Sequence, residues 1–317
     1  MISLTSVTSF ALIPPFIIIH MVFRYYFQKF IIYTFRNNKN VKKLSECMFY
    51  LLQYSILTLV SSTIVIKQKL WWLNYENLFC EKIYMNSFNT MTACYLMLEL
   101  SICISTAITW CFETRREHAD FIMMVVHHAC TISLICFSMY SKNYNMGVST
   151  ANLHDISDIF LEFSKMIYYL GFTQTSKVTF FLFCVSFIIP RCYVFPKFLI
   201  IPFYNGQLDD TLIKLDSNVN LLKAYSKLER TYIPAAFTVL FILNVIWTVA
   251  IVNMAFKLLI KKEWRDVREK QVSKNISSIL FQLSFQLFQS QIYYFISHFL
   301  LIMAIAYSTF FLFSALI

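Results

Sequence analysis

Seven ionisable residues lie in two apolar segments of the chain, where side chains would ordinarily face the hydrocarbon of a membrane. They are His127, His128, His154, Asp155, Asp158, Glu162 and Lys165. A charged side chain near the centre of a membrane helix costs roughly 2.5–3.5 kcal/mol, so the two aspartates and the lysine together cost about 8–10 kcal/mol. We therefore expect this cluster to face a polar interior, and we predict that it forms the functional site.

Histidine beside carboxylate is the arrangement of an acid–base centre. The imidazole can accept a proton from a nucleophile or attack a carbonyl carbon itself, while an aspartate orients the ring and stabilises its cation. A single histidine in a membrane helix more often serves packing. Three histidines and two aspartates on neighbouring segments favour catalysis. The predicted catalytic residues are His127, His128, His154, Asp155 and Asp158.

Helical spacing places the second half of the cluster on one stripe. At 100° per residue, His154, Asp158, Glu162 and Lys165 fall within an arc of about 80°, with Asp155 at its edge. Glu162 and Lys165 are three residues apart, so we expect them to pair and to support the site rather than react. If one helix starts at residue 117 and the next ends at residue 171, residue 127 lies about 15 Å and residue 158 about 20 Å from the same face of the membrane. The two halves of the cluster should therefore meet near the middle of the membrane.

The whole composition is that of an all-α polytopic membrane protein. Of 317 residues, 58% are hydrophobic and only 14% are charged, where about a quarter is usual for a soluble domain. Apolar runs of helical length recur along the chain and predict a bundle of six to eight transmembrane helices. The predicted spans lie near residues 10–33, 46–66, 88–112, 117–140, 146–170, 177–203, 232–260 and 292–316.

The distribution of lysine and arginine predicts the orientation of the bundle. Basic residues without acids concentrate in 24–43 and 257–274, which fall on one side under the eight-span count and should be cytoplasmic. The loop at 203–231 is then lumenal. The stretch 276–291 reads as an amphipathic helix in the membrane interface, before an extra last span. We divide the chain at 1–45, 46–265 and 266–317, with the main domain in the middle.

Several function classes lose support from the residue patterns. No basic domain interleaved with aromatics exists to bind nucleic acid, so the net charge of +10 is read as loop charge. With six histidines and no HxxxH, HExxH or CxxC pattern, we expect no metal, although a single zinc held by histidine and aspartate stays open. No cofactor is predicted.

Four stretches resemble the ceramide synthase branch of the TLC-domain family. DFIMMVVHHACTISLICFS (Asp120–Ser138) is similar to the family's DFxxMxxHHxxTxxLIxFS, and LHDISDIFLEFSKMIYY (Leu153–Tyr169) is similar to its HDxSDxxLExxK stretch. YLMLEL (Tyr95–Leu100) resembles the YxxEL element, and PRCYVFPKFLI (Pro190–Ile200) resembles the RxxxxPxxLI element. Together these stretches cover roughly residues 46–202.

The resemblance implies a multi-pass enzyme of the endoplasmic reticulum membrane that N-acylates a sphingoid base with fatty acyl-CoA. It implies that activity needs His127, His128, Asp155 and Asp158, with His154 in the same motif. Acyl-CoA is then a co-substrate, and the other partners are the sphingoid base and membrane lipids. A homodimer or a small accessory subunit stays open.

Four further residues bear on this resemblance. Arg115 and Arg116 are placed to meet the CoA phosphates on the cytosolic side, as is Lys177, although they also fit ordinary positive-inside charges. Asn145 stands where the family usually has arginine, two residues before the glycine, and this position is expected to tune substrate or orientation.

Two other functions also fit part of these sequence features. One is a TLC-domain protein that binds or senses lipid, or assists membrane insertion, without catalysis; such relatives generally lack the HH and HDxxD set. The other is a proton-coupled transporter, since intramembrane histidine and aspartate also form proton relays. Inverted repeats and broken helices would support a transporter, and the sequence shows neither.

Overall fold

The helices follow one another with short connections. The computed structural model describes residues 11–70, 78–79, 89–112, 121–215 and 227–261, and these contain no strand. We number the helices α1 (Ile13–Thr34), α2 (Val41–Lys67), α3 (Asn89–Phe112), α4 (Phe121–Tyr140), α5 (Tyr144–Tyr169), α6 (Thr173–Ile188, continued to Tyr204), α7 (Gln207–Leu215) and α8 (Lys227–Lys261). The predicted helix at 276–291, the predicted span at 292–316, and Arg115 and Arg116 lie outside the described residues.

Among the described residues, five helical segments are long and apolar enough to cross a membrane. They are Val41–Lys67, Met91–Trp110, Phe121–Tyr140, Thr173–Tyr204 and Leu228–Leu258. The predicted all-α polytopic membrane fold is confirmed. Helix α5 is not among the five, although its 26 residues span about 39 Å. It carries the charged stripe, which lowers its hydropathy.

The predicted lumenal loop at 203–231 needs a correction, because it contains structure of its own. Helix α7 occupies Gln207–Leu215 within it. Its mixture of acidic and apolar residues contains no long apolar run that would predict a helix. Gly206, with φ of +73°, allows the chain to turn before it.

Prolines change the geometry of α6 halfway along. Regular α-helix ends at Ile188, and π-helical turns follow at Ile189–Val194 and Pro196–Ile200 before a last α-helical turn. Proline has no N–H to donate to the residue four positions earlier, so Pro190 and Pro196 interrupt the ladder. The wider turns contain Arg191, and π-helical turns inside helices often occur at functional sites.

Helix α5 packs against α2 and α6 through small polar side chains. Asn152 donates through Nδ2 to Ser61 and Ser62 of α2, at 2.9 Å each. The hydroxyls of Ser164 in α5 and Ser176 in α6 each donate to the other residue's carbonyl oxygen at 3.0 Å. Small residues allow membrane helices to approach closely, and these contacts hold α5 between its neighbours.

Hydrogen bonds between helix ends show which of them share a face of the bundle. Asn38, in the basic connection after α1, donates to the carbonyl oxygen of Tyr169 at the end of α5. At the opposite end of α2, Gln68 donates to Thr92 near the start of α3 at 2.7 Å. The ends of α1 and α5 therefore lie at one face of the bundle.

Two apolar clusters surround the middle of α5. One joins α4, α5, α6 and α8 and includes Leu153, Phe195 and Phe237, and the other joins α2, α3, α4 and α5 and includes Leu96 and Val148. Residues 121–126 at the start of α4 belong to a separate unit. All the other described residues belong to one compact unit, formed by Met1–Arg116 and His127–Arg265.

Gly147 allows α4 and α5 to approach closely, which leads to a prediction about stability. A Cβ there would lie 2.7 Å from Ser138 Oγ and 3.2 Å from the Leu96 methyl carbons. Alanine in place of a helical glycine ordinarily stabilises by about 0.5–1 kcal/mol. Here we expect Gly147→Ala to destabilise by about 1–3 kcal/mol, as overpacking does. Thermal unfolding of the detergent-purified protein measures it.

Ser138→Ala is the matched second change, because it removes the nearest atom. The double variant should lose less than the sum of the two single losses. A Gly147→Ala protein as stable as the parent would show that the helices are not in contact at this point.

Candidate active site

A cavity lies among α2, α3, α4, α5 and α8, and all five predicted catalytic residues line it. Its empty volume is about 980 Å³, a figure that includes space open to solvent. It follows α5 from Asn143 to Asp158, which is about 22 Å at 1.5 Å per residue. His127, His128, His154, Asp155 and Asp158 lie towards one end, and the opposite end is largely apolar.

Three histidine rings meet at the polar end of the cavity. The ring centroids of His127 and His128 are 5.7 Å apart, and those of His127 and His154 are 6.3 Å apart. Consecutive residues of a helix point in directions 100° apart, so the rings of the HH pair face different neighbours. Helix α4 thus brings one ring of the pair towards the HDxxD motif of α5.

His154 is held at both of its ring nitrogens. Its Nδ1 lies 2.8 Å from the carbonyl oxygen of Thr150, one turn earlier in α5. A carbonyl only accepts, so Nδ1 carries the hydrogen and Nε2 carries the lone pair. Nε2 accordingly accepts from the amide of Asn244 in α8 at 3.3 Å. Asn244 is fully buried, and sequence reasoning did not identify it.

Within the part of the chain that the structure describes, His127 and His128 have no such hydrogen bonds. Both rings line the cavity, and the buried Nδ1 atom of each has no hydrogen-bond partner. Indole rings contact them instead: Trp247 of α8 lies 5.3 Å from the ring of His127, and Trp110 of α3 lies 4.8 Å from that of His128, nearly perpendicular to it. These two imidazoles are therefore enclosed by aromatic walls and open to a ligand in the cavity.

Arg191 connects the HDxxD motif to α6. Its Nη2 donates to Asp158 Oδ1 and to the carbonyl oxygen of His154, both at 2.6 Å. The guanidinium also stacks on the ring of Phe187 at 4.4 Å, and the residue is only 4% exposed. In the sequence, Arg191 belongs to the stretch that resembles the RxxxxPxxLI element, and nothing in its spacing predicts a role. A buried acid needs a cation, and that requirement is the signal that could have identified it.

One expectation from the sequence is wrong. We expected an aspartate to orient a histidine ring, but among the described residues no ring of the three hydrogen-bonds an aspartate. Asp158 instead pairs with Arg191, and Asp155 lies beside Glu99 and Asp158, whose charges act on it. The backbone of α5 and the amide of Asn244 orient His154.

Comparison with known proteins decides the family. The sequence profile of the TLC domain matches residues 43–253 of this chain. The chain belongs to the TLC-domain family. The matched region contains α2–α7 and most of α8, and therefore every residue that lines the cavity.

Within that family the chain is similar to ceramide synthases. It is 31% identical over 179 residues to human ceramide synthase 3, covering 55% of this chain and 42% of that protein. Sphingosine N-acyltransferase lag1 of Schizosaccharomyces pombe is 29% identical over 185 residues (56% and 45%), and ceramide synthase hyl-1 of Caenorhabditis elegans is 26% identical over 239 residues (74% and 62%). The chain thus matches less than half the length of the first two.

The remaining predicted site residues of the TLC domain lie outside the cavity. Glu162 and Lys165 form the expected ion pair in α5, largely buried. Asn145 is buried near the start of α5 and does not line the cavity, whereas Asn143 does. Lys177 is half-buried in the first turns of α6. Among the described residues, no three histidine, cysteine or acidic side chains are placed to hold a metal ion together.

His20 of α1, to which the sequence analysis assigned nothing, reaches the edge of the site. Its Nε2 lies 3.1 Å from Gln53 Oε1, and its Nδ1 lies 2.7 Å from Ser105 Oγ. Gln53 itself lines the cavity. A lone histidine gives no periodic signal, so its contact with the TLC domain was not predictable from spacing.

The Arg191–Asp158 pair generates a stability prediction. Removing one partner of a fully buried ion pair leaves a charge uncompensated and costs roughly 3–5 kcal/mol. The Arg191 side chain is 5% exposed and that of Asp158 is 23% exposed, so the lower part of that range applies. We expect Arg191→Met to lose about that much, and Arg191→Met combined with Asp158→Asn to recover a large part of it. Thermal unfolding of the purified protein measures both, and activity should be lost in both.

Arg230→Met is the matched control, because its pair with Asp209 at 2.6 Å is about one third exposed. An exposed pair contributes roughly 0–1 kcal/mol. If the two arginine variants unfolded at the same temperature, Arg191 would not hold the motif.

Proposed function

We propose that this protein is a ceramide synthase, which transfers the fatty acyl group of acyl-CoA to the amine of a sphingoid base. The observation that carries the proposal is the convergence of the HH and HDxxD motifs on one cavity within apolar helices. Similarity to three proteins named as ceramide synthase or sphingosine N-acyltransferase supports it. Both substrates dissolve in the membrane, so their reacting ends can meet at this depth.

The reaction needs a group that accepts a proton. The ammonium of the sphingoid base first loses one proton to become a nucleophilic amine. Its nitrogen then attacks the thioester carbon, the C–N bond forms, the C–S bond breaks, and CoA leaves as the thiolate. The nitrogen sheds its second proton to the imidazole, which passes it to the thiolate. In the covalent route, an imidazole nitrogen attacks the thioester carbon first and the CoA thiolate leaves; the amine then attacks the acyl-imidazole carbonyl, the amide forms, and the imidazole is released.

Hydrogen bonding divides the roles among the histidines. His154 has both ring nitrogens engaged, by Thr150 and by Asn244, and its ring also contacts Phe195 at 5.2 Å. We assign it a positioning role. His127 and His128 line the cavity with a buried nitrogen unpartnered, so one of them acts as base or nucleophile. Asp158 is held by Arg191 and fixes the motif.

The apolar part of the cavity suits an aliphatic chain. Leu134 and Ile135 of α4, Met146 of α5, and Phe237 and Leu240 of α8 form its walls beyond the histidines. Burial of methylene groups stabilises a bound chain by roughly 0.8 kcal/mol each. The reacting carbonyl then lies at the polar end, beside the imidazoles.

The setting follows from the substrates. We place the enzyme in the endoplasmic reticulum membrane, with acyl-CoA as co-substrate and no other cofactor. The CoA phosphates stay in the cytosol, where Arg115, Arg116 and Lys177 are the proposed contacts. Glu162, Lys165 and Asn145 support α5 rather than touch substrate. Assembly as a homodimer or with a small accessory subunit remains part of the proposal.

An acyl-transfer assay tests the function. Microsomes that express the chain receive acyl-CoA and labelled sphinganine, and N-acyl product is measured. We expect product from the intact protein and a loss of roughly 10²–10⁴-fold in His127→Ala, as for removal of an acid–base group. The exposed acid Asp210→Asn serves as control. No product from the intact protein would favour a non-catalytic lipid-binding protein or a transporter.

A second comparison separates chemistry from positioning. We expect His154→Gln to lower thermal stability and to retain activity within about 100-fold, because glutamine can keep one of the two hydrogen bonds. His127→Gln should leave stability nearly unchanged, since no hydrogen bond of that ring is lost, and abolish activity. An acyl mass shift on His127 or His128 would establish the covalent route, while reversed behaviour of the two variants would overturn the assignment.

A further inference from the structure

A second buried acid faces Asp155 across the cavity. Glu99 of α3 is 6% exposed, lines the cavity, and has no hydrogen-bond partner for Oε2. Its other oxygen lies 3.9 Å from the thiol of Cys103, and the hydroxyl of Tyr95, also in α3, is a neighbour of both carboxyl groups. Asp155 of α5 is also 6% exposed, with Oδ2 unpartnered, and the two carboxyl groups are close enough for their charges to interact.

Described cations near these acids are already paired elsewhere. Arg191 binds Asp158, and Lys165 binds Glu162, so each of the other two acids of the α5 stripe has its own partner. Among the described residues, neither Glu99 nor Asp155 has a cation within ion-pair distance. Uncompensated acids at this depth are costly. Such a pair must either share a proton or bind a cationic ligand.

A separate polar group on the same face of α3 also lacks a hydrogen-bond partner among the described residues. Thr106 is 5% exposed, lines the cavity, and its Oγ1 has no hydrogen-bond partner. It follows Glu99 by seven residues, which places it two turns further along the same stripe. Ile102 and Cys103 lie between them and also line the cavity.

We infer that Glu99 and Asp155 together form the subsite for the ammonium group of the amine substrate, on a polar stripe of α3 that continues to Thr106. The inference rests on the proposed function, since that function supplies the amine. An ammonium has three donors and one positive charge, and two carboxyl groups offer matching acceptors. The subsite adjoins His154, the residue before Asp155 in α5, so the amine is held beside the histidine cluster before it reacts.

Kinetics of Glu99→Gln test the subsite, because glutamine keeps the shape and removes the charge. We expect KM for sphinganine to rise roughly 10- to 100-fold, the effect of losing a hydrogen bond to a charged group. KM for acyl-CoA should change little. Glu99→Asp, which keeps the charge, should recover part of the loss. An unchanged KM for sphinganine in Glu99→Gln would overturn the inference.

The pH dependence gives a readout that a merely structural role would not move. An alkyl ammonium loses its charge near pH 10, so the advantage of the parent over Glu99→Gln should shrink as the pH rises towards that value. A defect in packing would reduce activity equally at every pH. Glu229→Gln is the matched control, a buried acid of α8 next to Asn143 that does not line the cavity.

Binding of labelled sphinganine to the purified protein separates failure of this inference from failure of the proposed function. If the parent binds sphinganine tightly and Glu99→Gln binds weakly, but no amide forms, the subsite stands and the synthase proposal fails. If amide forms and binding does not depend on Glu99, the synthase stands and the subsite is wrong. Should Glu99→Gln not fold, Asp155→Asn and Glu99→Asp carry the same binding comparison.

Discussion

The double contact of Arg191 is the interaction on which the site depends. One guanidinium binds both the carboxylate of Asp158 and the carbonyl oxygen of His154, which stand four residues apart in α5. It can reach both because Pro190 and Pro196 open α6 into wider π-helical turns at that level. In a medium of low dielectric, two hydrogen bonds donated by one charged guanidinium are strong and directional. It therefore fixes the rotation of α5, and with it the direction in which the whole stripe faces.

With α5 fixed, the remaining hydrogen bonds distinguish histidines of identical chemistry. His154 is bound at both nitrogens and cannot turn, whereas His127 and His128 have aromatic neighbours that fix the ring planes and form no hydrogen bond with them. Walls of tryptophan also exclude water, which protects a reactive acyl group from hydrolysis. Burial without hydrogen bonds is costly for these two imidazoles, but it leaves their nitrogen atoms available to a substrate.

Sequence reasoning identified the parts of the site that lie on one helix. Helical phase placed His154, Asp155 and Asp158 on one side of α5, and the structure shows all three lining the cavity. It could not identify partners from other helices, because periodicity gives the face of a helix and not its neighbour. Arg191 lies 33 residues from Asp158, and Asn244 lies 90 from His154. Each is one polar residue in an apolar run, with no spacing to mark it.

The charges of the α5 stripe are balanced unevenly, and in the proposed reaction this imbalance favours the binding of substrate over that of product. Lys165 and Arg191 satisfy Glu162 and Asp158, but within the described chain no cation satisfies Asp155 or its neighbour Glu99. A substrate ammonium completes the balance, whereas the amide nitrogen of a ceramide carries no charge. Amide formation therefore removes the interaction that held the nitrogen at the carboxyl pair. Since a site discriminates by the difference between two binding free energies, the same uncompensated acids that attract the amine weaken the hold on the product and promote its return to the membrane.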